Sequence, residues 1–535
     1  MNSGMQLKVV TSGTATAAVD DSLGELISQQ IASRISRKDS TVWGKDAEAE
    51  SGIRLGWVSS PKDSLPLIDS IHRLRDKFTG IGVNRFVLCG MGGSSLAPEV
   101  ITKTAGVELV VLDSTNPDQV SAALAEPLSN TAVIVSSKSG STVETDSQKR
   151  AFEAAFTQAG IDPKERIVIV TDPDSPMEQA AKSDGYQIFQ ADPTVGGRYS
   201  ALTAFGLVPS GLAGVDLAQL LAQAAEAMEI LSADSPNNPA LILGAALART
   251  PGEMGFRDKI GIVEDGTSIR GLGDWIEQLV AESTGKLGKG ILPIVLEPKS
   301  AEFRSGLADV VAVHIQQDAR PVAGDSVSVS GSLGGQLLLW EYATAVACYL
   351  LGVNPFDQPD VESAKIAARA MLEKMTGTEE PEIVFDGVGV SSAGFNAVGN
   401  SLTEVIASLT AQVDTDLGYL SIHAYMDRSG VPQALSLRDE FANKIKRPVT
   451  FGWAPRFLHS TGQFHKGGPK QGVFLQLVSA SEFDLEIPGR EFTFGELITS
   501  QAAGDAKVLS DLGRPVLTLS LKDPNSAIQV ISKAI

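Results

Sequence analysis

DWIEQLVAESTGKLGKG, the stretch from Asp274 to Gly290, predicts an amphipathic helix followed by a turn rich in hydroxyl groups and glycine. Three apolar residues mark its buried face: Trp275, Leu279 and Val280. The helix brings Glu282 to this turn, where Lys286 adds positive charge. A carboxylate in such surroundings is suited to moving a proton. The stretch alone is equally compatible with an ordinary helix end whose lysine compensates the helix dipole, so the rest of the chain has to decide.

Length and charge limit the classes of function. A chain of 535 residues is too long for one ordinary core, so we expect two or more domains. The formal net charge of -20 argues against nucleic acid or an anionic membrane as partner, because both favour a broad basic surface. An anionic substrate would therefore need local cations.

The cysteines and the apolar runs predict a soluble, cytoplasmic protein. Cys89 and Cys348 lie in apolar segments, are expected to be buried free thiols, and fit a reducing compartment. The N-terminus lacks the apolar core of a signal peptide. The longest apolar run, Leu337 to Val353, is interrupted by Glu341 and is predicted to be a buried core helix.

Strand-like apolar runs alternate with helical patterns from Ile68 onward and predict parallel α/β sheets. We expect a helical segment over 1–67, α/β domains over 68–237 and 238–377, and an α/β region over 378–535. The first domain has four predicted strands: Phe86 to Cys89, Glu108 to Leu112, Ala132 to Val135 and Arg166 to Val170. The second has three: Lys259 to Val263, Ile291 to Leu296 and Val310 to Ile315.

Ligands bind beyond the carboxyl ends of such strands, and two loops there are candidates. GMGGSSLAPEV, residues 90–100, has glycines that let backbone amides approach an anion, although plain strand-to-helix geometry also explains it. SSKSGSTVET, residues 136–145, has six hydroxyl groups and Lys138 before a helix. An N-cap explains one or two hydroxyls but not six, so we predict a phosphate site.

Five motifs together resemble one family. They are GMGGSSLAP, SSKSGSTVET, VGGRYSALTAFGLVP, QLVAESTGK and NPFDQPDVESAK. In this order and at these separations they are similar to the signatures of the glucose-6-phosphate isomerase family, which has tandem sugar-isomerase (SIS) domains. The opening around Trp43 and Trp57 and the later HSTGQFHKGGP resemble the actinobacterial type and the isomerase half of transaldolase fusions. The implied fold is tandem three-layer α/β/α modules with mainly parallel sheets, a helical N-terminal arm and an α/β C-terminal region.

The resemblance implies roles for residues at matching positions. Glu282 would be the base, Arg198 would steady the enediolate, and Gln278 would contact the sugar. The other implied substrate-binding residues are Gly93, Ser94, Ser137, Lys138, Ser139 and Thr142. A planar guanidinium suits a delocalised enediolate, and the glycine loop of Arg198 precedes a helix predicted over Tyr199 to Leu212. The turn NPFDQP is expected to be structural only.

The ring-opening group is where the chain departs from the family pattern, which places a histidine in a GQHxF-type segment and a lysine near the C-terminus. The nearest candidates are His459, His465 and Lys466 in FLHSTGQFHKGGPKQG. Such a concentration of titratable groups in a glycine-rich loop favours function. The other histidines, His72, His314 and His423, are expected to be structural.

The predicted function is reversible isomerisation of glucose 6-phosphate and fructose 6-phosphate, without metal or organic cofactor. Two alternatives stay open: an isomerase for mannose 6-phosphate or another hexose phosphate, and a noncatalytic sugar-phosphate sensor. A sensor would not need Glu282, Arg198 and Gln278 together. The expected partner is a small sugar phosphate, with no nucleic acid or membrane, and a homo-oligomer is possible.

Overall fold

The computed structural model describes residues 6–360, 366, 383–479, 481 and 483–535. Its helices are α1 Thr14–Ser28, α2 Ile31–Ser36, α3 Glu48–Ser51, α4 Ser60–Asp63, α5 Leu67–Gly80, α6 Leu96–Ala105, α7 Pro117–Ala125, α8 Val143–Gln158, α9 Pro176–Asp184, α10 Ala204–Ala213, α11 Leu217–Leu231, α12 Pro239–Arg249, α13 Leu272–Thr284, α14 Ala301–Arg304, α15 Leu333–Leu351, α16 Leu402–Thr410, α17 Ser436–Ile445, α18 Gly462–Gly467, α19 Phe494–Asp511 and α20 Pro524–Ala534. Its strands are β1 Lys8–Ser12, β2 Arg85–Gly90, β3 Val110–Leu112, β4 Thr131–Ser136, β5 Ile167–Thr171, β6 Gln187–Gln190, β7 Lys259–Glu264, β8 Leu292–Leu296, β9 Val310–Ile315, β10 Ser326–Ser330, β11 Ile383–Phe385, β12 Val388–Ala393, β13 Tyr419–Tyr425, β14 Val449–Trp453, β15 Gly472–Ser479 and β16 Val516–Leu521.

The chain folds into two compact units. The first comprises Met1–Asp113, Pro127–Pro298 and Ala308–Asp357, and the second comprises Ser114–Glu126, Lys299–Leu307 and Gln358–Ile535. The predicted boundary at 377 and the last five residues of NPFDQPDVESAK lie outside the described residues.

The first sheet of unit 1 has the strand order β3-β2-β4-β5-β6, with every pairing parallel. The chain leaves β2 for β3 on one side and then returns to β4 on the other. In such a sheet the crevice where the strand order reverses is the usual ligand site. The glycine turn follows β2 and the hydroxyl-rich loop follows β4, so the two predicted loops lie beside each other at that crevice.

The second sheet of unit 1 has the order β1-β10-β9-β7-β8. Its pairings are parallel except for β1, which pairs with β10 antiparallel. The segment 1–67, predicted as helical, therefore also supplies an edge strand. Sequence reasoning did not name β10, SVSVS, although alternation of polar and apolar residues is a strand signal; all five residues are buried in the structure.

The core of unit 1 surrounds α15, in which all but one residue is buried. This agrees with the prediction of a core helix, and burial raises the pKa of Glu341 well above its ordinary value. Within the described residues, α15 and every other helix falls short of the length and apolarity that a membrane crossing requires.

Unit 2 is built on a six-stranded sheet in the order β11-β12-β16-β15-β13-β14. Strands β14, β13, β15 and β16 pair in parallel, and β12 and β11 extend the edge antiparallel. The predicted fold class, mixed α/β with mainly parallel sheets, is confirmed.

Candidate active site

A buried ion pair between Arg198 and Glu282 forms the centre of the candidate site in unit 1. Nη1 of Arg198 lies 3.0 Å from Oε1 of Glu282, and the side chains are 4% and 9% exposed. Nε2 of Gln278 donates a hydrogen bond of 3.1 Å to the other carboxylate oxygen. Gln278 and Glu282 are four residues apart on α13 and so share one face of the helix. The structure thus brings three of the predicted residues into contact.

The local structure around Arg198 and Glu282 differs from the prediction. Arg198 lies in a short 3-10 turn, Gly197–Tyr199, and the helix predicted from Tyr199 begins at Ala204 as α10. Glu282 lies inside the last turn of α13 rather than in the turn that follows it. The start of α10 is misplaced because the residues before it are also apolar and buried. The end of α13 is misplaced because the residues of its last turn continue the helical pattern.

Three further oxygen atoms hold the guanidinium of Arg198. Its Nε donates to Oγ of Ser283 at 3.0 Å. Its Nη2 donates to the backbone oxygens of Pro355 and Asp357 at 2.7 and 2.9 Å. The orientation of this planar group is therefore set by the protein before any ligand binds. Sequence reasoning gave the 354–357 turn no role, because every residue type has a backbone carbonyl and the sequence cannot show which of them accepts a hydrogen bond.

The glycine turn after β2 lies against the loop of Arg198. A methyl group added at Gly93 would come within 2.1 Å of the carbonyl oxygen of Gly197, the residue before Arg198. Ser94 in the same turn is buried. At its other end, Gly90 pairs in register with Ser136, where the hydroxyl-rich loop begins. The glycine turn therefore connects the predicted phosphate loop to the Arg198 loop.

The hydroxyl-rich loop connects β4 to the N-terminus of α8. Oγ of Ser137 lies 3.2 Å from Oγ1 of Thr142 and accepts a hydrogen bond of 3.2 Å from the amide of Gly140. Gly140 has a φ of 70°, which favours glycine. Ser139 is exposed and its hydroxyl lies 2.8 Å from that of Ser141. A preformed cluster of hydroxyls before a helix N-terminus can bind an anion.

Lys138 supplies the positive charge of this loop. Its Nζ lies 2.5 Å from Oδ2 of Asp172, which follows β5. Partial burial lowers the pKa of Lys138 and raises the pKa of Asp172, and their mutual attraction opposes both shifts. The pair therefore holds the ammonium group at the loop.

The structure separates the three candidates for ring opening, all of which lie in unit 2. His459 ends a 3-10 helix, Arg456–His459, and is partly exposed. His465 is 1% exposed, and its Nδ1 lies 3.0 Å from the hydroxyl of Tyr419. Lys466 is also buried, with its Nζ 2.7 Å from Oδ1 of Asp505.

His465 and Lys466 belong to one buried polar network. Nδ1 of His423 lies 3.3 Å from Oδ2 of Asp505, and its Nε2 lies 3.0 Å from Oγ of Ser421. The same Oγ lies 3.4 Å from Nε2 of His465. Burial, with the charges of His423 and Lys466, lowers the pKa of His465 well below its usual value. Burial raises the pKa of Asp505, but the charges and hydrogen bonds of Lys466 and His423 together outweigh it, so the net shift is downward. Sequence reasoning did not name Asp505. It expected His423 to be structural but could not place it beside this loop, from which it is distant along the chain.

Comparisons with known proteins identify the family of the chain. A sequence model of the phosphoglucose isomerase family matches residues 73–290, which include Arg198 and Glu282 but not the loop of His459. A probable glucose-6-phosphate isomerase of Haloquadratum walsbyi is 30% identical over 343 residues, covering 54% of this chain and 79% of that protein. The chain belongs to the phosphoglucose isomerase family.

Solved structures support the fold of this family member. A hypothetical protein of Thermus thermophilus superposes with a TM-score of 0.58 at 24% identity, covering 68% of this chain and 99% of that chain. A glucose-6-phosphate isomerase of Chlamydia trachomatis superposes with a TM-score of 0.54 at 20% identity, covering 68% and 86%.

Replacing Thr142 in the hydroxyl-rich loop by alanine is expected to raise the KM for a sugar phosphate about tenfold or more. A lost hydrogen bond to a charged group costs about 1.5 to 3 kcal/mol, which corresponds to that factor. Steady-state kinetics and calorimetric titration measure it. Thr157→Ala, at an exposed position near the end of α8, the helix that follows this loop, is the control and is expected to leave the KM unchanged. Unchanged binding by Thr142→Ala would remove this loop from the site.

Replacing Gly93 by alanine is expected to displace the turn that carries Arg198, because the new methyl group meets a backbone oxygen that cannot move alone. A displacement of about 1 Å can cost roughly 100-fold in turnover, so kcat should fall by about ten- to 100-fold. Gly80→Ala, which adds a methyl group with nothing within 4 Å, is the matched control. Equal kcat in both variants would show that the contact with Gly197 has no catalytic consequence.

Proposed function

We propose that this protein catalyses the reversible isomerisation of glucose 6-phosphate and fructose 6-phosphate through a cis-enediolate. The observation that supports this most strongly is the contact of Arg198, Glu282 and Gln278 in a buried site. A protein that only senses a sugar phosphate has no need of a buried carboxylate held by a guanidinium, because that arrangement is costly to desolvate. No observation favours a different hexose phosphate.

In the proposed reaction one carboxylate carries the proton in both directions. Glu282 takes the proton from C2 of the open-chain aldose, and the electron pair moves to form the cis-enediolate. Arg198 stabilises the negative charge that develops on its oxygen atoms. Glu282 then returns the proton to C1 while the hydroxyl proton of O2 passes to O1, which gives the ketose, and the enzyme ends in its starting state. The chemistry requires side chains alone.

Binding of the phosphate group is assigned to Ser137, Lys138, Ser139 and Thr142, with Gly93 and Ser94 near the sugar. The hydroxyls and the ammonium group together offer donors suited to a phosphate monoester. Lys138 is already held at the loop by Asp172, so less side-chain entropy is lost when the phosphate binds.

Ring opening is assigned to the HSTGQFHKGGP loop, and within it to His459. The step moves a proton from the O1 hydroxyl to the ring oxygen while the bond between C1 and the ring oxygen breaks. His459 is partly exposed, whereas His465 and Lys466 are buried in the network of Asp505. Within this loop, the side chain of His459 is the most accessible to a substrate. In this proposal His465 and Lys466 support the loop.

We further propose a cytoplasmic enzyme of glycolysis and gluconeogenesis that can form a homo-oligomer and binds neither nucleic acid nor membrane. Cys89 and Cys348 are buried free thiols, which suits a reducing compartment. The net charge of -20 opposes binding to polyanions.

Replacing Glu282 by glutamine keeps the shape of the side chain but removes the base, so turnover should fall by at least about 100-fold, the low end of what proton transfer contributes. Phosphosugar binding and thermal unfolding should stay close to wild type. An assay coupled to glucose-6-phosphate dehydrogenase measures the rate. Glu277→Gln on the same helix is the control and should retain activity. A Glu282→Gln enzyme within tenfold of wild type would exclude Glu282 as the base.

Replacing His459 by glutamine should lower kcat on the cyclic substrate about tenfold or more, and much less on an analogue that lacks the ring-closing hydroxyl. His72→Gln, on the exposed face of α5, controls for loss of a histidine. Equal slowing on both substrates would place His459 after ring opening or in a structural role.

A further inference from the structure

The ammonium group of Lys286 has three oxygen acceptors, and all lie in the turn of residues 354–357. Nζ donates to the backbone oxygens of Asn354 and Asp357 at 2.7 Å each, and to Oδ1 of Asp357 at 2.6 Å. Lys286 is 1% exposed. Burial, together with the charge of Arg198, lowers the pKa of Lys286, and the charge of Asp357 opposes this. These acceptors compensate a buried cation.

The same turn holds the guanidinium of Arg198. The backbone oxygen of Asp357 accepts from both Lys286 and Arg198, and that of Pro355 accepts from Arg198. Between them, the ring of Phe356 packs 5.4 Å from the ring of Tyr199, the residue after Arg198. A shift of this turn would therefore move the guanidinium.

Lys286 also connects this turn to the helix that carries the base. It follows Glu282 by four residues and forms a short antiparallel bridge with Lys289 directly after α13. The contacts therefore form a closed circuit: an ion pair joins Glu282 to Arg198, and hydrogen bonds join Arg198 and Lys286 to the 354–357 turn. The chain itself connects Lys286 back to Glu282. Groups held in such a circuit keep their relative geometry, which catalysis requires to within about 0.5 Å.

We propose that Lys286 is a positioning residue, which holds the 354–357 turn so that its carbonyl oxygens fix Arg198 against Glu282. This inference rests on the proposed isomerase function. It also revises the role expected from the sequence, since the hydrogen bonds of the Lys286 ammonium group go to the turn rather than to Glu282.

A double-mutant cycle tests whether Lys286 acts through Arg198. Lys286→Met keeps the apolar stem and removes the ammonium group, so kcat should fall about tenfold or more while KM changes by less than about threefold. In an Arg198→Met background the same change should lower kcat by less than about twofold, because the group it positions is gone. Lys289→Met, in the same hairpin but bonded to Leu351, should leave kcat unchanged. An equal loss in both backgrounds, or no loss in either, would overturn the proposal.

Asp357→Asn provides the second route, because the Asp357 side chain is 44% exposed and its replacement is compatible with folding. It removes the charged acceptor of Lys286 and keeps both backbone oxygens that hold Arg198. Asp357→Asn should likewise lower kcat in the wild-type background and have little effect in the Arg198→Met background. An equal loss in both backgrounds, or no loss in either, would overturn the proposal.

Ligand binding separates this inference from the proposed function. Calorimetric titration with 5-phosphoarabinonate, whose planar carboxylate mimics the enediolate, should show about tenfold weaker binding by Lys286→Met and Asp357→Asn. Sorbitol 6-phosphate lacks the planar group and should bind both variants like wild type. A wild-type protein that binds neither ligand and shows no turnover would overturn the proposed function. An active wild type whose variants bind both ligands unchanged would overturn the role of Lys286 alone.

Discussion

The ion pair of Arg198 and Glu282 is the constraint on which the rest of unit 1 depends. Removing two charges from water costs several kcal/mol per ion, and the interior recovers this only if every donor and acceptor is well placed. Gln278 and Ser283 from α13, and two carbonyl oxygens from the 354–357 turn, provide those partners. A buried pair is weak evidence for stability, so its presence together with Gln278 among the predicted site residues favours a role in chemistry.

The second buried charge cluster, in unit 2, has a different character. Asp505 has both Lys466 and His423 as partners, and the chain of hydrogen bonds continues through Ser421 to His465 and Tyr419. Such a network fixes a loop in one conformation because each member satisfies its neighbour. It accounts for the concentration of polar residues in HSTGQFHKGGP, of which His459 is the more exposed histidine.

Much of the fold and of the candidate site could be predicted from the sequence because the patterns that indicate them are local. Doubly buried strands such as β4 are continuous apolar runs, and the predicted phosphate loop has more hydroxyls than capping requires. The parts that escaped prediction depend on contacts between distant residues. Strand β1 forms only because β10 offers an edge, and Asp505 lies 39 residues from Lys466. The turn that holds Arg198 acts through backbone oxygens, so Pro355 and Asp357 could not be recognised by residue type.

Hydrogen exchange at C2 of glucose 6-phosphate in heavy water tests the central claim most directly, since it follows the proton that Glu282 is said to carry. The account predicts that the wild-type enzyme places solvent deuterium at C2, with less than full incorporation where a shielded carboxylate returns the proton it removed. Glu282→Gln should lose exchange and isomerisation together. Exchange at the wild-type rate in that variant would mean that another group moves the proton, and would contradict the account.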